Sequence, residues 1–107
     1  MTTLEKTIQI LFENDLVHTF EEFSEKWAGK NKGWLAYTRH KRREYSTDAA
    51  FNVLRVTRQH KIRLTIRRGR VGDLVDDALQ AVGDVEALLE VFLRAKHQIK
   101  ECKFEQP

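Results

Sequence analysis

Apolar residues recur at intervals of three and four along almost the whole 107-residue chain, and charged residues fill the positions between them. That spacing lays one apolar stripe along each of several helices and turns the opposite faces to water. One Pro and five Gly supply few of the tight turns on which an all-β fold depends. The expected class is all-α.

The order of elements follows from the stripes and their punctuation. Leu4, Ile8 and Leu11, widened by Ile10 and Phe12, predict a first helix over about 3–14, capped by Thr2 or Thr3 and ended at Asn14-Asp15. Leu16-Val17 then tucks the connection into the core. Thr19 caps a second helix with Glu22 completing a capping box, and Phe20, Phe23 and Trp27 form its stripe. Gly29 supplies the left-handed residue that ends it. Asn31 caps a third helix over about 32–42 whose apolar content is only Trp34, Leu35 and the ring of Tyr37. Ser46 or Thr47 starts a fourth, with Ala50, Val53 and Leu54 inward and Phe51 on the flank.

Residues 61–70 alternate Ile62, Leu64 and Ile66 with Lys61, Arg63 and Arg67 in strand fashion. No partner strand is in sight, so continued helix is expected, broken by Gly69 and Gly72. Asp73, Asp76 and Asp77 open a fifth helix bearing Leu74, Val75, Ala78, Leu79 and Val82. After Gly83, Asp84 caps a sixth, with Val85, Leu88, Leu89, Phe92, Ala95 and Ile99 on one face. Two parts are expected: residues 1–60, and a basic connector with acidic C-terminal helices over 61–107.

The formal net charge is only +3, yet the signs segregate along the chain. Residues 28–70 hold thirteen basic and two acidic residues, a net of +11, while the flanking stretches 1–27 and 71–107 each carry −4. So dense a basic cluster repels itself, and a polyanion relieves that repulsion while releasing its own counterions. Other classes are disfavoured. No apolar run approaches the roughly 18 residues a membrane span needs, and the N-terminus lacks a secretory layout. Cys102 is the only cysteine, which excludes an intrachain disulfide and a cysteine-based zinc site and makes a cytoplasmic protein the default. His18, His40, His60 and His97 are scattered, and Asp73, Asp76 and Asp77 suit a helix dipole better than a cation. No phosphate loop follows a strand, and Cys102 has no identifiable base. Neither a cofactor nor enzyme activity is expected.

Residues 19–46 follow a helix-turn-helix pattern: a capped short helix, a glycine in the turn, an Asn cap, then a basic second helix. In such a motif one helix crosses the DNA backbone while the next enters the major groove, and flanking cations hold phosphates. The segment FEEFSEKWAGKNKGWLAYTRHKRREYSTDAAFNVL, with its FSEKWAG turn, resembles the λ-repressor-like (Xre-type) family of DNA-binding domains, over about residues 3–58. The resemblance implies a helix-turn-helix bundle with a C-terminal helical extension, acting as a sequence-specific transcriptional regulator. It implies core roles for Phe23, Trp27 and Leu35, base contacts at Asn31 and Lys32, and phosphate contacts at Arg42 and Arg43. Lys30 replaces an apolar residue usual after the turn glycine, and Tyr45 stands where a proline is common.

The DNA-facing set is therefore Lys30, Asn31, Lys32, Trp34, Tyr37, Arg39, His40, Lys41, Arg42 and Arg43, with half-buried packing an alternative for Trp34 and Tyr37. Arg55, Arg58, Lys61, Arg63, Arg67, Arg68 and Arg70 form a second basic patch, which either contacts DNA or pairs with the acidic C-terminal helices. Val85, Phe92 and Ile99 recur every seven residues, and with Leu88, Leu89 and Ala95 they make a coiled-coil-like seam expected to form a homodimer interface. Double-stranded DNA and a second copy are the expected partners. The alternative is a protein-interaction module of a phage or mobile element, acting on a nucleic-acid-binding protein or on RNA polymerase.

Overall fold

Residues 2–96 are described by the computed structural model, and among them five α-helices carry the apolar stripes. They are α1 (Thr3–Glu13), α2 (Phe20–Glu22, continued by a π-helical turn, Phe23–Trp27), α3 (Trp34–His40), α4 (Thr47–Val71) and α5 (Asp76–Lys96). A 3-10 turn, Gly72–Val75, joins the last two. No strand occurs among the described residues, and the stretch 61–70 is helix.

Two of these helices are capped from elsewhere in the chain. At α1 the expected local cap is present: Thr2 Oγ1 accepts from the Glu5 amide, and the Glu5 carboxylate accepts from the Thr2 amide at 3.0 Å. The next two amides, of Thr3 and Leu4, donate to the carboxylate of Glu44 at 2.6 and 2.8 Å. A negative charge thus sits where the helix dipole is positive. At α3 the expected Asn31 cap is not used. The helix begins at Trp34 behind Gly33, which makes no side-chain cap bond. The Leu35 amide donates instead to the hydroxyl of buried Ser24 at 3.0 Å, and that hydroxyl donates to the Phe20 carbonyl at 2.9 Å. Ser24 does for α3 what Asn31 was expected to do, because it meets the helix across the turn.

The turn itself depends on Gly29. Its φ of +67° is a left-handed conformation, and an added Cβ would lie 2.8 Å from Asn52 Nδ2. Asn52 cannot easily retreat, since that same nitrogen donates to the Ala28 carbonyl at 2.9 Å. At α2, Thr19 caps the Glu22 amide as expected, but the Glu22 carboxylate returns to the His18 amide rather than to Thr19.

The C-terminal helices differ most from expectation. Gly72, at φ +69°, does end α4, but Gly69 lies inside it, and Gly83 lies inside α5. The fifth and sixth helices are therefore one. A helical glycine costs only about 1 kcal/mol, and burial of Ala81, Val82 and Val85 on both sides of Gly83 outweighs it. Leu74, expected on the fifth helix, sits in the 3-10 turn ahead of it and is 82% exposed. The boundary expected at 60/61 falls within α4, and Val85, Leu89 and Leu93 of α5 share one core with Leu4, Ile8, Phe23, Leu35 and Val53. Lys96 Nζ reaches the Tyr45 carbonyl at 3.4 Å, beside the Glu44 that holds the start of α1. The end of α5 thus lies next to the start of α1, and the two helices run antiparallel.

Ser24→Ala should lower stability by about 1–3 kcal/mol, because the Leu35 amide is left buried without a partner. The urea midpoint reads this directly. A midpoint unchanged from the parent would show that another group caps α3.

Candidate nucleic-acid interface

With Leu35 and Thr38 buried and Trp34 lying half-buried on Phe23 (centroids 6.4 Å apart), α3 turns Gly33, Ala36 and His40 outward, flanked by Tyr37 and Arg39. Tyr37 is 53% exposed, so of the two aromatic residues only Trp34 takes the packing role. The Arg39 guanidinium lies 5.0 Å from the centroid of the Phe20 ring, and the charged ends of Lys41 and Arg43 both lie 5.9 Å from that of Tyr37. Such cation–π contacts hold flexible side chains over one surface at a gain of about 0.5–1 kcal/mol each.

The helix ends in a way that displays cations. The Arg42 amide bonds to the Arg39 carbonyl and the Arg43 amide to the Thr38 carbonyl, both at 2.9 Å, the paired pattern of a Schellman motif. Its left-handed position is filled by Arg42 at φ +54°, where glycine is the usual occupant. An arginine there costs roughly 1–2 kcal/mol of backbone strain. Beside it an open hollow of about 830 Å³ is lined by Thr2, Glu5, Phe20, Ala36, Arg39, His40 and Arg42. The Glu5 carboxyl in its wall is held below its usual range, chiefly by the Thr2 amide.

The remaining residues expected at this interface divide clearly. Asn31 and Lys32 are exposed but lie in the loop ahead of α3, not in its first turn. Lys30 is committed to another residue: its ammonium pairs with Asp48, whose other oxygen accepts from the Ser46 hydroxyl at 2.8 Å. The Lys30 bond, with help from Ser46, holds the Asp48 carboxyl at about 2. Lys32, Arg39, His40, Lys41, Arg42 and Arg43 form no ion pair with an acid among the described residues.

The second basic patch splits in the same way. Arg58 bridges Glu86 and Glu90 at 3.0 and 2.8 Å, Lys61 meets Glu86 at 2.9 Å, and Arg68 meets Asp76 at 2.6 Å. These three lie on the side of α4 that faces α5 and fasten the hairpin. The Lys61 bond, with Arg58 beside it, holds the Glu86 carboxyl below its usual range. Arg55, Arg63, Arg67 and Arg70 are exposed and have no acidic partner among the described residues. His60 stacks on Trp27 with centroids 4.7 Å apart, and burial, aided by Arg63, lowers its pKa.

The expected dimer seam does not survive as drawn. Val85 and Leu89 are fully buried in the chain's own core, which needs them to cover α1 and α4. Phe92 is half-buried against Tyr45, with ring centroids 5.9 Å apart. Leu88 is half-buried, Ala95 is exposed, and Ile99 lies outside the described residues, as do His97 and Cys102. No group of three or more His, Cys, Asp or Glu placed to hold a metal occurs among the described residues, nor is any described helix long and apolar enough to cross a membrane.

Sequence reasoning missed the partner roles of Ser24, Glu44 and Asn52, which place α3 and its neighbours, and the burial of Tyr45. The signal for Ser24 was present: it lies between Phe23 and Trp27 on the inner face, where a serine must find partners. The chain belongs to a family of unknown function, DUF6626, whose model matches residues 4–102. No curated protein and no solved structure matches it.

Lys30→Ala should return the Asp48 pKa from about 2 towards its ordinary 3.8, read by NMR titration of the side-chain carboxyl. The folded pKa is the depressed one. The pair's contribution is therefore complete above pH 3.8 and fades as the pH falls towards 2, so acid unfolding of the parent and of the variant should converge there. An Asp48 pKa unmoved by the substitution would mean that the Lys30 bond does not form in solution.

Proposed function

We propose that this member of DUF6626 is a DNA-binding protein that uses α2, its turn and α3 as a helix-turn-helix in the λ-repressor-like manner, and that it works as a transcriptional regulator. The observation that carries the reading is α3 with its two ends, where Lys32 stands in the loop ahead of the helix and Arg39, His40, Lys41, Arg42 and Arg43 at its last turn and exit, with no acid paired to any of them among the described residues. Small side chains at Gly33 and Ala36 let the α3 backbone approach a groove closely. Tyr37 and His40 then stand beside the base edges, while Arg42 and Arg43 meet phosphate. Arg39 and Arg42 line one open hollow, where their two guanidinium groups against the single Glu5 carboxylate leave net positive charge for a backbone phosphate. Lys30, committed to Asp48, takes no part.

A second reading is favoured by a different surface. Ile62 and Ile66 are 61% and 65% exposed on the outer side of α4, next to the unpaired Arg63, Arg67 and Arg70. An acidic, partly apolar protein segment would fit there. Binding to random duplex DNA that weakens steeply with salt supports the first reading, and its absence supports the second. A regulator of this kind would work in the cytoplasm.

Fluorescence anisotropy with a random duplex tests the interface. Ala36→Glu should weaken binding by at least about tenfold through a negative charge facing phosphate, with little change in melting temperature because the site is exposed. Arg42→Gly combined with Arg43→Ala should flatten the salt slope by about one to two units. Glycine is chosen at 42 because the left-handed backbone there suits it. Unchanged affinity and slope in both variants would remove α3 from the interface.

A further inference from the structure

We infer that the groove between α1 and α5 is a two-fold homodimer interface, centred on Leu88 and Val91 rather than on Phe92. The groove has a volume of about 580 Å³, and its lining includes Lys6, Ile10, Glu13, Asp84, Leu88 and Val91. Val91 is 66% exposed, an unusual cost for a valine within a helix that buries Val85, Leu89 and Leu93 on its other side. Once the chain's own core has taken those three, the residues left outside form a second, narrower apolar strip: Ile10, Ala87, Leu88, Val91 and Ala95. A helix with apolar strips on two faces is covered twice.

The charges around the strip identify the occupant. Because α1 and α5 run antiparallel, Glu13 of α1 lies at the same end of the groove as Asp84 of α5. Lys6 lies at the other end, with Arg94, which shares a helix flank with Ala87 two turns away. One end is doubly acidic and the other doubly basic. Lys6, Glu13, Asp84 and Arg94 are all exposed, and none forms an ion pair among the described residues. A two-fold axis through the middle of the groove sets α5 antiparallel to α5 of the second copy. It superposes apolar strip on apolar strip and brings each acidic end onto the partner's basic end. The patch is self-complementary, which an isologous interface requires and a foreign partner does not.

Sedimentation equilibrium of the full chain, with far-UV circular dichroism as the control for folding, tests it. The parent should be largely dimeric at about 100 µM, and Val91→Asp should weaken association at least about tenfold with unchanged helicity. Two double variants probe the pairing of the charged ends. Lys6→Glu with Arg94→Glu makes both ends acidic, and Glu13→Lys with Asp84→Lys makes both ends basic. Each should be monomeric alone, and an equimolar mixture should form a heterodimer. A monomeric parent at that concentration, a Val91→Asp variant that still dimerises, or a mixture that stays monomeric would each overturn the assignment.

Discussion

One buried hydroxyl sets the relation between the two short helices on which the rest of the surface depends. Ser24 Oγ accepts the Leu35 amide and donates to the Phe20 carbonyl, so a single oxygen ties the start of α3 to the first turn of α2. The Ser24 carbonyl also accepts the Lys30 amide at 2.8 Å, which holds the intervening turn. With seven residues, α3 is too short to persist by its own hydrogen bonds. It is held by that cap at one end, by Leu35 in the core, and by the Schellman bonds at Arg42 and Arg43 at the other. The cationic surface is thus carried on a rigid support.

The basic residues of the middle segment serve two purposes that sequence charge alone does not distinguish. Arg58, Lys61 and Arg68 are spent on Glu86, Glu90 and Asp76, and they clamp α4 against α5. These exposed pairs contribute little individually, about 0–1 kcal/mol each. Their effect is on register: they set which turn of α4 faces which turn of α5. The remaining cations of α3 and of the outer side of α4 have no such partners among the described residues, and they keep the full field that a polyanion or an acidic segment would meet.

The interior shows a corresponding division of labour along α5. Val85, Leu89 and Leu93 close the core over α1 and α4, so of the seven-residue repeat visible in the sequence Val85 serves this packing. Phe92, which belongs to the same repeat, lies against Tyr45 at the core's edge, with the Lys96 ammonium 5.5 Å from the centroid of its ring. A heptad pattern of two repeats reports that a helix has an apolar face. It does not report whether that face meets the same chain or another.

Local chemistry was legible from the sequence because it acts over three or four residues. The stripes of α1 and α4, the caps at Thr2 and Thr19, the left-handed Gly29 and the segregation of charge all followed from neighbours along the chain. The continuity of α4 through Gly69 and of α5 through Gly83, the late start of α3 and the removal of Lys30 from the cationic face did not. The late start of α3 and the removal of Lys30 were decided by partners farther along the chain, Ser24 for Leu35 and Asp48 for Lys30, and the continuity of α5 by burial on both sides of Gly83. A backbone amide or a lysine needs a partner but does not specify which one, and only the packing of the helices determined which partner came within reach.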